Sequence, residues 1–253
     1  MENNSATVAE LSRHFNVSAM SIRRDFDVLA KEGRIVRTHG GAVLARDLVS
    51  EISFFERKGK NLAEKLAMAR ASLSLIHDSD PLFLDSSTTC LALAASLPEG
   101  WNLSVVTNGL HTALRLSEKK SISTVLIGGV VREGFFSTIG PETAARMKEF
   151  RARVAVISAT AFDPEQGAFE ANLLEAEVKR AMIRSSHEVI LLVDSSKWGQ
   201  VALNKTVDID SSSSSFKLKA VVADDAVPPG LAEAVRGKGI QLILVAGRKE
   251  DSG

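Results

Sequence analysis

The chain has 253 residues, with 31 basic and 31 acidic side chains in balance, 45% hydrophobic residues and 25% charged ones. That length predicts two domains, and the neutral balance excludes a protein that coats nucleic acid along its whole length, so any DNA contact has to be local. A single cysteine, Cys90, excludes an internal disulfide framework and fits a reducing cytoplasm. No apolar run reaches the ~18 residues of a membrane span, and the start MENNSAT is no signal peptide, so a soluble cytoplasmic protein is expected.

The chain opens with two short helical patterns. Thr7-Val8-Ala9-Glu10 reads as a capping box, and Val8, Leu11 and Phe15 give the helix after it an apolar face. Asn16-Val17 makes a short turn, and Ser18 sits where the N-cap of a second helix belongs. Ile22, Phe26 and Leu29 form its buried stripe, leaving Ser21, Arg23, Arg24, Asp27 and Lys31 on other faces. Gly33 can stop this helix, RIVR then alternates as a strand, and His39-Gly40-Gly41 turns the chain back. The order is that of a helix-turn-helix with a wing, whose second helix enters the DNA major groove. Between Leu11 and Arg46, seven Lys/Arg stand against three acids, an excess of +4. A helical hairpin with a solvated basic face is the alternative, and the cap, stripe, stop and wing in register weigh against it. Six residues precede Thr7, too few for the further helix that winged modules carry there. Either the start of the chain is misassigned or that first helix is missing or truncated; if it is truncated, Val8, Leu11, Ile22 and Phe26 are expected to lose part of their cover and DNA binding to weaken.

Residues 47–61 read as a connector whose Phe54 and Phe55 have to pack on something. Leu62, Leu66, Ala69, Leu73 and Ile76 then mark a helix over 62–77. Short apolar runs predict strands at 81–85, 103–107, 123–129, 153–158, 188–194, 219–224 and 240–246. Helical patterns lie between most of them, at Thr89–Leu97, Gly109–Glu118, Glu142–Phe150, Leu174–Ser186 and Gly230–Arg236. This alternation implies a mainly parallel sheet with helices on both faces, which binds ligands outside the carboxyl ends of its strands.

Polar residues gather at those ends. Asp85-Ser86-Ser87-Thr88-Thr89 joins a strand to a helix and suits a phosphate at the helix N-terminus. Helix capping alone would account for one or two of its hydroxyls. Asn108 ends the second strand, Gly128-Gly129 the third, and Asp194-Ser195-Ser196-Lys197 the fifth, where Lys197 offers a cation. Glu175 and Lys179, spaced i and i+4, read in isolation as a surface ion pair. The five histidines and Cys90 show no metal-ligand spacing, so neither a metal nor another cofactor is expected. Cys90 reads as a small core residue, and His111 and His187 as packing or helix-surface residues.

The run VAELSRHFNVSAMSIRRDFDVLAKEGRIVRTHGGA resembles the N-terminal signature of the DeoR family of bacterial transcriptional regulators. The resemblance extends through FLDSSTT, VVTN, IGG, LLEAEVKRAMI and LLVDSSKWG, in family order, with Ser87 in place of a glycine and Trp198 in place of phenylalanine. It implies an α/β protein: a small winged helix-turn-helix over 1–46, a connector over 47–61, and a Rossmann-like, mainly parallel sensor domain over 62–253. It implies DNA contacts from Ser18, Ser21, Arg23, Arg24, Arg37, His39 and Gly40. Effector contacts would come from Asp85, Ser86, Ser87, Thr88, Thr89, Asn108, Gly128, Gly129, Glu175, Lys179, Asp194 and Lys197. The expected protein is a repressor of a carbohydrate-utilisation operon. It would bind a double-stranded operator as a dimer or tetramer, away from any membrane, and be relieved by a phosphorylated sugar. The sensor fold is similar to ribose-5-phosphate isomerase, which makes an isomerase-like enzyme the rival reading, with Asp163, Glu170, Glu175 and Lys179 for acid–base roles. QGAFEANLLEAEVK lacks the Lys-Gly-Gly-Gly-type loop of those enzymes, and binding without turnover is expected. The serine run at 211–215 interrupts an otherwise ordered link.

Overall fold

The computed structural model describes residues 5–31, 35–38, 41–44, 53–209 and 216–247. Gly33, the His39-Gly40 turn, residues 47–52 and the serine run at 211–215 lie outside the described residues.

The N-terminal module runs β1 (Ser5–Thr7), α1 (Val8–Phe15), α2 (Ala19–Lys31), β2 (Ile35–Thr38) and β3 (Gly41–Leu44). The capping box is formed: the Glu10 N–H donates to the Thr7 hydroxyl at 3.2 Å, and the Thr7 N–H donates back to the Glu10 carboxylate at 2.7 Å. Asn16 ends α1 in the left-handed conformation at φ 53°, and the Ser21 N–H donates to Ser18 Oγ at 3.1 Å where α2 opens. Val8, Ile22, Phe26 and Ala42 form a small core, with Leu11, Leu29 and Ala30 packed against it. Val8, Ile22 and Phe26 are at most 7% exposed, so the expected loss of cover over them is not seen. The residues before α1 form an antiparallel edge strand, giving the order β1-β3-β2. Phe15 corrects the expected apolar face: in the last turn of α1 it is 61% exposed and meets the His14 ring edge-on.

The second part begins with α3 (Phe54–Gly59) and α4 (Leu62–Ser72). It continues with β4 (Pro81–Leu84), α5 (Thr88–Ser96), β5 (Ser104–Thr107), α6 (Leu110–Ser117) and β6 (Ser123–Leu126). A hairpin, β7 (Val130–Arg132) and β8 (Ser137–Ile139), precedes α7 (Pro141–Met147) and β9 (Ala152–Ser158). Then come β10 (Ala161–Asp163), β11 (Gly167–Glu170), α8 (Leu173–Arg184), β12 (Ser186–Leu192) and β13 (Asn204–Val207). The last elements are β14 (Lys217–Asp224), α9 (Pro229–Gly237) and β15 (Gln241–Val245).

All seven predicted strands are present and form one parallel sheet, in the order β15-β14-β12-β9-β4-β5-β6. Strand residues alternate between two cores, as a sheet buried on both faces requires. Leu82, Leu84, Val154, Val156, Ile190 and Leu192 face a core closed by Met68, Cys90 and Leu93 of α4 and α5. Phe83, Ala155, Ile157, Val189 and Leu191 face the other, closed by Met147, Val178, Met182 and Val235 of α7, α8 and α9. The small antiparallel sheet β10-β11-β13 has no counterpart among the predicted strands.

Two expectations are corrected here. The α4 stripe is rotated: Leu62 is 48% exposed, and the buried face carries Lys65, Met68, Ala69 and Ser72. The connector also contains structure, because Ser53 and Glu56 make a second capping box that starts α3. Phe54 is 1% exposed, stacks on His111 at 4.6 Å between centroids and lies 5.7 Å from Phe136. Its N–H donates to the Gly134 carbonyl at 2.9 Å. Phe54→Ala removes this anchor and is expected to cost about 3 kcal/mol, read as a lower urea midpoint of the C-terminal domain.

Candidate functional site

The parallel order places the topological switch between β4 and β9, since the chain runs outward from β4 through β5 to β6 and then returns to β4's other side. Open sheets hold ligands at such a crevice. A cavity of about 270 Å³ lies there, lined by Ser86–Thr89 after β4, by Ser158–Thr160 after β9 and by Asp194, Ser196 and Lys197 after β12.

Asp85 ties the two strand ends together. It is fully buried and accepts the Ser87 N–H through Oδ1 and the Ser158 N–H through Oδ2, each at 2.8 Å. Lys179 stands on the same carboxylate, 2.9 Å from Oδ2, donates to the Ser158 carbonyl at 2.7 Å and also donates to Glu170. An ammonium has three donors, and here all three are taken. Burial alone would push the Asp85 carboxyl up, but the Lys179 charge and the hydrogen bonds it accepts hold it below the usual range. Burial alone would push Lys179 down, but the charges of Asp85 and Glu170 raise it instead. The i,i+4 pair is therefore no surface ion pair, because Glu175 and Lys179 are each 5% exposed.

Glu175 sits higher on the wall. One carboxylate oxygen accepts the Ser137 hydroxyl, with Arg132 3.7 Å away. The other, Oε2, is buried with no hydrogen-bond partner among the described residues. Burial pushes this carboxyl above its ordinary range. Thr160 donates to Glu170 at 2.6 Å. Lys197 Nζ lies 3.1 Å from Ser158 Oγ and 3.5 Å from Asp194, which also accepts from Asn61 at 3.1 Å. Burial pushes Asp194 up, but Lys197 and the donors Ser196 and Asn61 outweigh that and lower it.

Of the hydroxyl run, Ser87 is the N-cap of α5 and accepts the Cys90 N–H at 3.0 Å. Ser86, Thr88 and Thr89 line the cavity at the helix N-terminus. Four predicted contacts do not line it: Asp85 lies beneath the wall, and Asn108, Gly128 and Gly129 lie off it. Asn108 Nδ2 donates to the Thr138 carbonyl at 3.0 Å and so secures β8. Gly128 accepts the Thr143 hydroxyl at 2.9 Å. Gly129 has φ +150°, and a Cβ there would fall 1.9 Å from Thr143 Oγ1, so the second glycine of the pair admits α7. Asp163 is no acid–base candidate, since it accepts the N–H groups of Glu165 and Gln166 within the β10–β11 turn.

The sequence reading missed the cationic wall. Arg57 and Lys60 from the end of α3, Lys65 on α4 and Arg132 on β7 all line the cavity. Arg132 lies 3.6 Å over the Phe135 ring and Arg57 5.3 Å from it. Lys65 is 4% exposed and donates to the carbonyls of Arg57 and Lys60. Burial first, and then the neighbouring Lys197 charge, lower it to about 8. Its signal was present in the sequence: a lysine three residues before Met68 and four before Ala69 falls on the buried face of the helix.

In the N-terminal module, Ser18, Arg23 and Arg24 are exposed on α2 or at its start, and Ser21 is half-buried. Arg37 lies in β2, and His39 and Gly40 lie outside the described residues. Among the described residues, no helix is long and apolar enough to cross a membrane.

A winged helix-turn-helix followed by a parallel α/β domain with a polar cavity at its switch point defines the class of two-domain, DNA-binding transcription regulators. Residues 2–47 match the family described as "DeoR-like helix-turn-helix domain", and residues 60–216 match "DeoR C terminal sensor domain". The chain belongs to the DeoR family of transcriptional regulators. It is 33% identical to the uncharacterized HTH-type transcriptional regulator YulB of Bacillus subtilis, over 95% of this chain and 91% of that one. It is 34% identical to the glycerol-3-phosphate regulon repressor of Escherichia coli, over 93% and 90%. It is 31% identical to the L-fucose operon activator of Haemophilus influenzae, over 94% and 93%. A ribose 5-phosphate isomerase A from Methanocaldococcus jannaschii is a distant structural likeness, at 14% identity and TM-score 0.42 over 55% of each chain.

The Lys179 junction makes a pH-dependent prediction. Lys179→Met leaves two buried carboxylates without their cation and should cost about 3 kcal/mol at pH 7. In the native chain the lowered Asp85 contributes stability above its unfolded value, and loses it as pH falls through the folded value. In the variant, burial raises Asp85 instead, so the deficit shrinks from pH 7 to pH 5. Urea unfolding at the two pH values measures it, and a deficit that grows toward pH 5 would refute the assignment.

Proposed function

We propose that the protein is a cytoplasmic repressor of a carbohydrate-utilisation operon, released from its operator by a phosphorylated sugar bound at the β4–β9 switch point. The observation that carries this reading is the mixed lining of the cavity. Cations and helix-terminal hydroxyls line it together with carboxylates, and one of these, Glu175, carries an oxygen with no hydrogen-bond partner among the described residues. A phosphate suits the amides at the start of α5, with Ser86, Thr88, Thr89 and Lys197 around it. The hydroxyls of a sugar suit Glu175, Glu170 and Thr160 as acceptors. Asp85, Asn108, Gly128 and Gly129 act behind the wall by holding its strands and loops, and Lys179 does so from the wall itself. The name of one relative, a glycerol-3-phosphate regulon repressor, fits an effector of this chemistry.

On DNA, α2 lies in the major groove, with Ser18, Ser21, Arg23 and Arg24 meeting bases and phosphates, and Arg37, His39 and Gly40 of the wing follow the backbone or minor groove. Two half-sites about one helical turn apart call for a homodimer or a tetramer built from it. The effector shifts DNA affinity only as far as it binds the two geometries differently.

The cavity binds without turning over its ligand. Sugar isomerisation needs a base and a donor on the carbonyl oxygen, and Lys179, one of the candidates for those roles, has all three of its donors committed to the protein. Isomerase activity lost on Glu175→Gln would overturn this.

Anisotropy of labelled DNA from upstream of the protein's own operon, at two salt concentrations and with a panel of sugar phosphates, tests the whole reading. Arg23→Ala should weaken DNA binding by about tenfold or more, on the order of 1–3 kcal/mol for a lost base or phosphate contact, and leave sugar-phosphate binding intact. Lys197→Ala should do the reverse. Loss of both functions in a folded Arg23→Ala protein would count against separate sites.

A further inference from the structure

Lys65 is the cavity cation whose surroundings are least explained by packing alone. It lies on the buried face of α4 yet belongs to the cavity wall. Its ammonium donates to the Arg57 and Lys60 carbonyls, where α3 ends. Two of its three donors are thus used among the described residues, and the third is left for the cavity.

The charges around it are mixed. Arg57 and Lys60 come from the end of α3, Asp194 and Lys197 from the loop after β12, and Glu64 from its own helix. The facing helix α5 brings no charged residue, and Asp224 of β14 is turned to the Ser195 amide at 2.6 Å. Asp194 is already engaged by Lys197, Ser196 and Asn61. The corner therefore holds four cations against one committed carboxylate inside the wall, which favours an added anion.

We propose that Lys65 is an anion-binding residue of this cavity and the joint that ties its occupancy to α3. One N–H takes the ligand's anionic group, and the other two hold the last carbonyls of α3. This rests on the reading of the cavity as an anion site and adds to it the route by which occupancy is felt. The helix α3 is the first described element after the DNA-binding module, so a change in how firmly it is seated reaches the connector directly.

The titration of Lys65 supports the geometry. Burial lowers it to about 8, so at pH 9 most of the ammonium is lost and its hold on the carbonyls weakens. An anion beside it favours the charged form and restores that hold. Anion binding then takes up a proton, and affinity falls as pH rises above 8.

The test uses the full chain and sulfate, which does not titrate in this range. Calorimetry from pH 7 to pH 9 should show sulfate affinity falling roughly fivefold between pH 8 and pH 9, as expected when one group near 8 must be protonated. Lys65→Arg keeps the cation and should hold that change below about twofold. Hydrogen exchange over residues 53–61 should slow on adding sulfate at pH 8.5, and should not respond in Lys65→Met, a replacement of similar length. Exchange elsewhere in the C-terminal domain reports whether each variant is folded. If sulfate binds and Lys65→Arg keeps the wild-type pH profile, the joint is refuted while the anion cavity stands. If sulfate binds the wild type at no pH, the cavity reading falls as well.

Discussion

Everything at the cavity depends on one buried ammonium. Lys179 reaches from α8 to the ends of β4 and β9 and to Glu170 on β11, joining four elements through a single atom. Such a charge is tolerated in a dry interior only when each of its donors finds an acceptor. Asp85, Glu170 and the Ser158 carbonyl meet that demand together, and because Asp85 Oδ2 also accepts the Ser158 N–H, the two strand ends are held to each other as well as to Lys179. The price of this junction is that Lys179 has nothing left for a ligand. Rigidity beneath the cavity and chemistry inside it are divided between different residues.

That division fixes the polarity of the site. Lys179 is outnumbered by Asp85 and Glu170, so the floor is acidic, and Glu175 adds a carboxyl oxygen with no hydrogen-bond partner among the described residues. The lining also carries the cations of the α3–α4 elbow, of β7 and of the loop after β12, with Arg132 3.7 Å from Glu175 and Lys197 3.5 Å from Asp194. A ligand with an anionic group and a hydroxylated body finds both kinds of partner there. An anion set against the buried carboxylates alone would meet repulsion that low dielectric screens little.

The sheet was legible in the sequence for a physical reason. A parallel sheet covered on both faces needs continuous apolar runs, and all seven stood out between helical patterns. The capping boxes at Thr7 and the N-cap at Ser18 were legible because capping is local. The missed strands β10, β11 and β13 are only three or four residues long, and β11 draws its second partner, β13, from a distant segment. Glu175 and Lys179 looked like a surface pair because helical spacing says nothing of burial, and the acceptor that defines Lys179, Asp85, lies more than ninety positions away. Lys65 was missed because the stripe is rotated: Leu62 was read as part of the apolar face and is 48% exposed, and the lysine lies on the face that is buried.

The same contrast separates the two groups of donors around the ligand's anion. The start of α5 has a backbone explanation that needs no ligand, since Ser87 caps the helix and small hydroxyl residues suit a tight turn. The elbow has none of that economy. A helix of six residues could end in solvent, yet α3 ends on a lysine that must be buried to reach it. Burying an ammonium costs free energy that two carbonyls recover only in part. A buried cation on a cavity wall, with one donor uncommitted and other cations crowding it, is a strained arrangement in the absence of an anion and a relaxed one in its presence. The energy released on binding is then available to seat α3, and a helix within the connector is where such a difference has to appear if the cavity is to influence DNA.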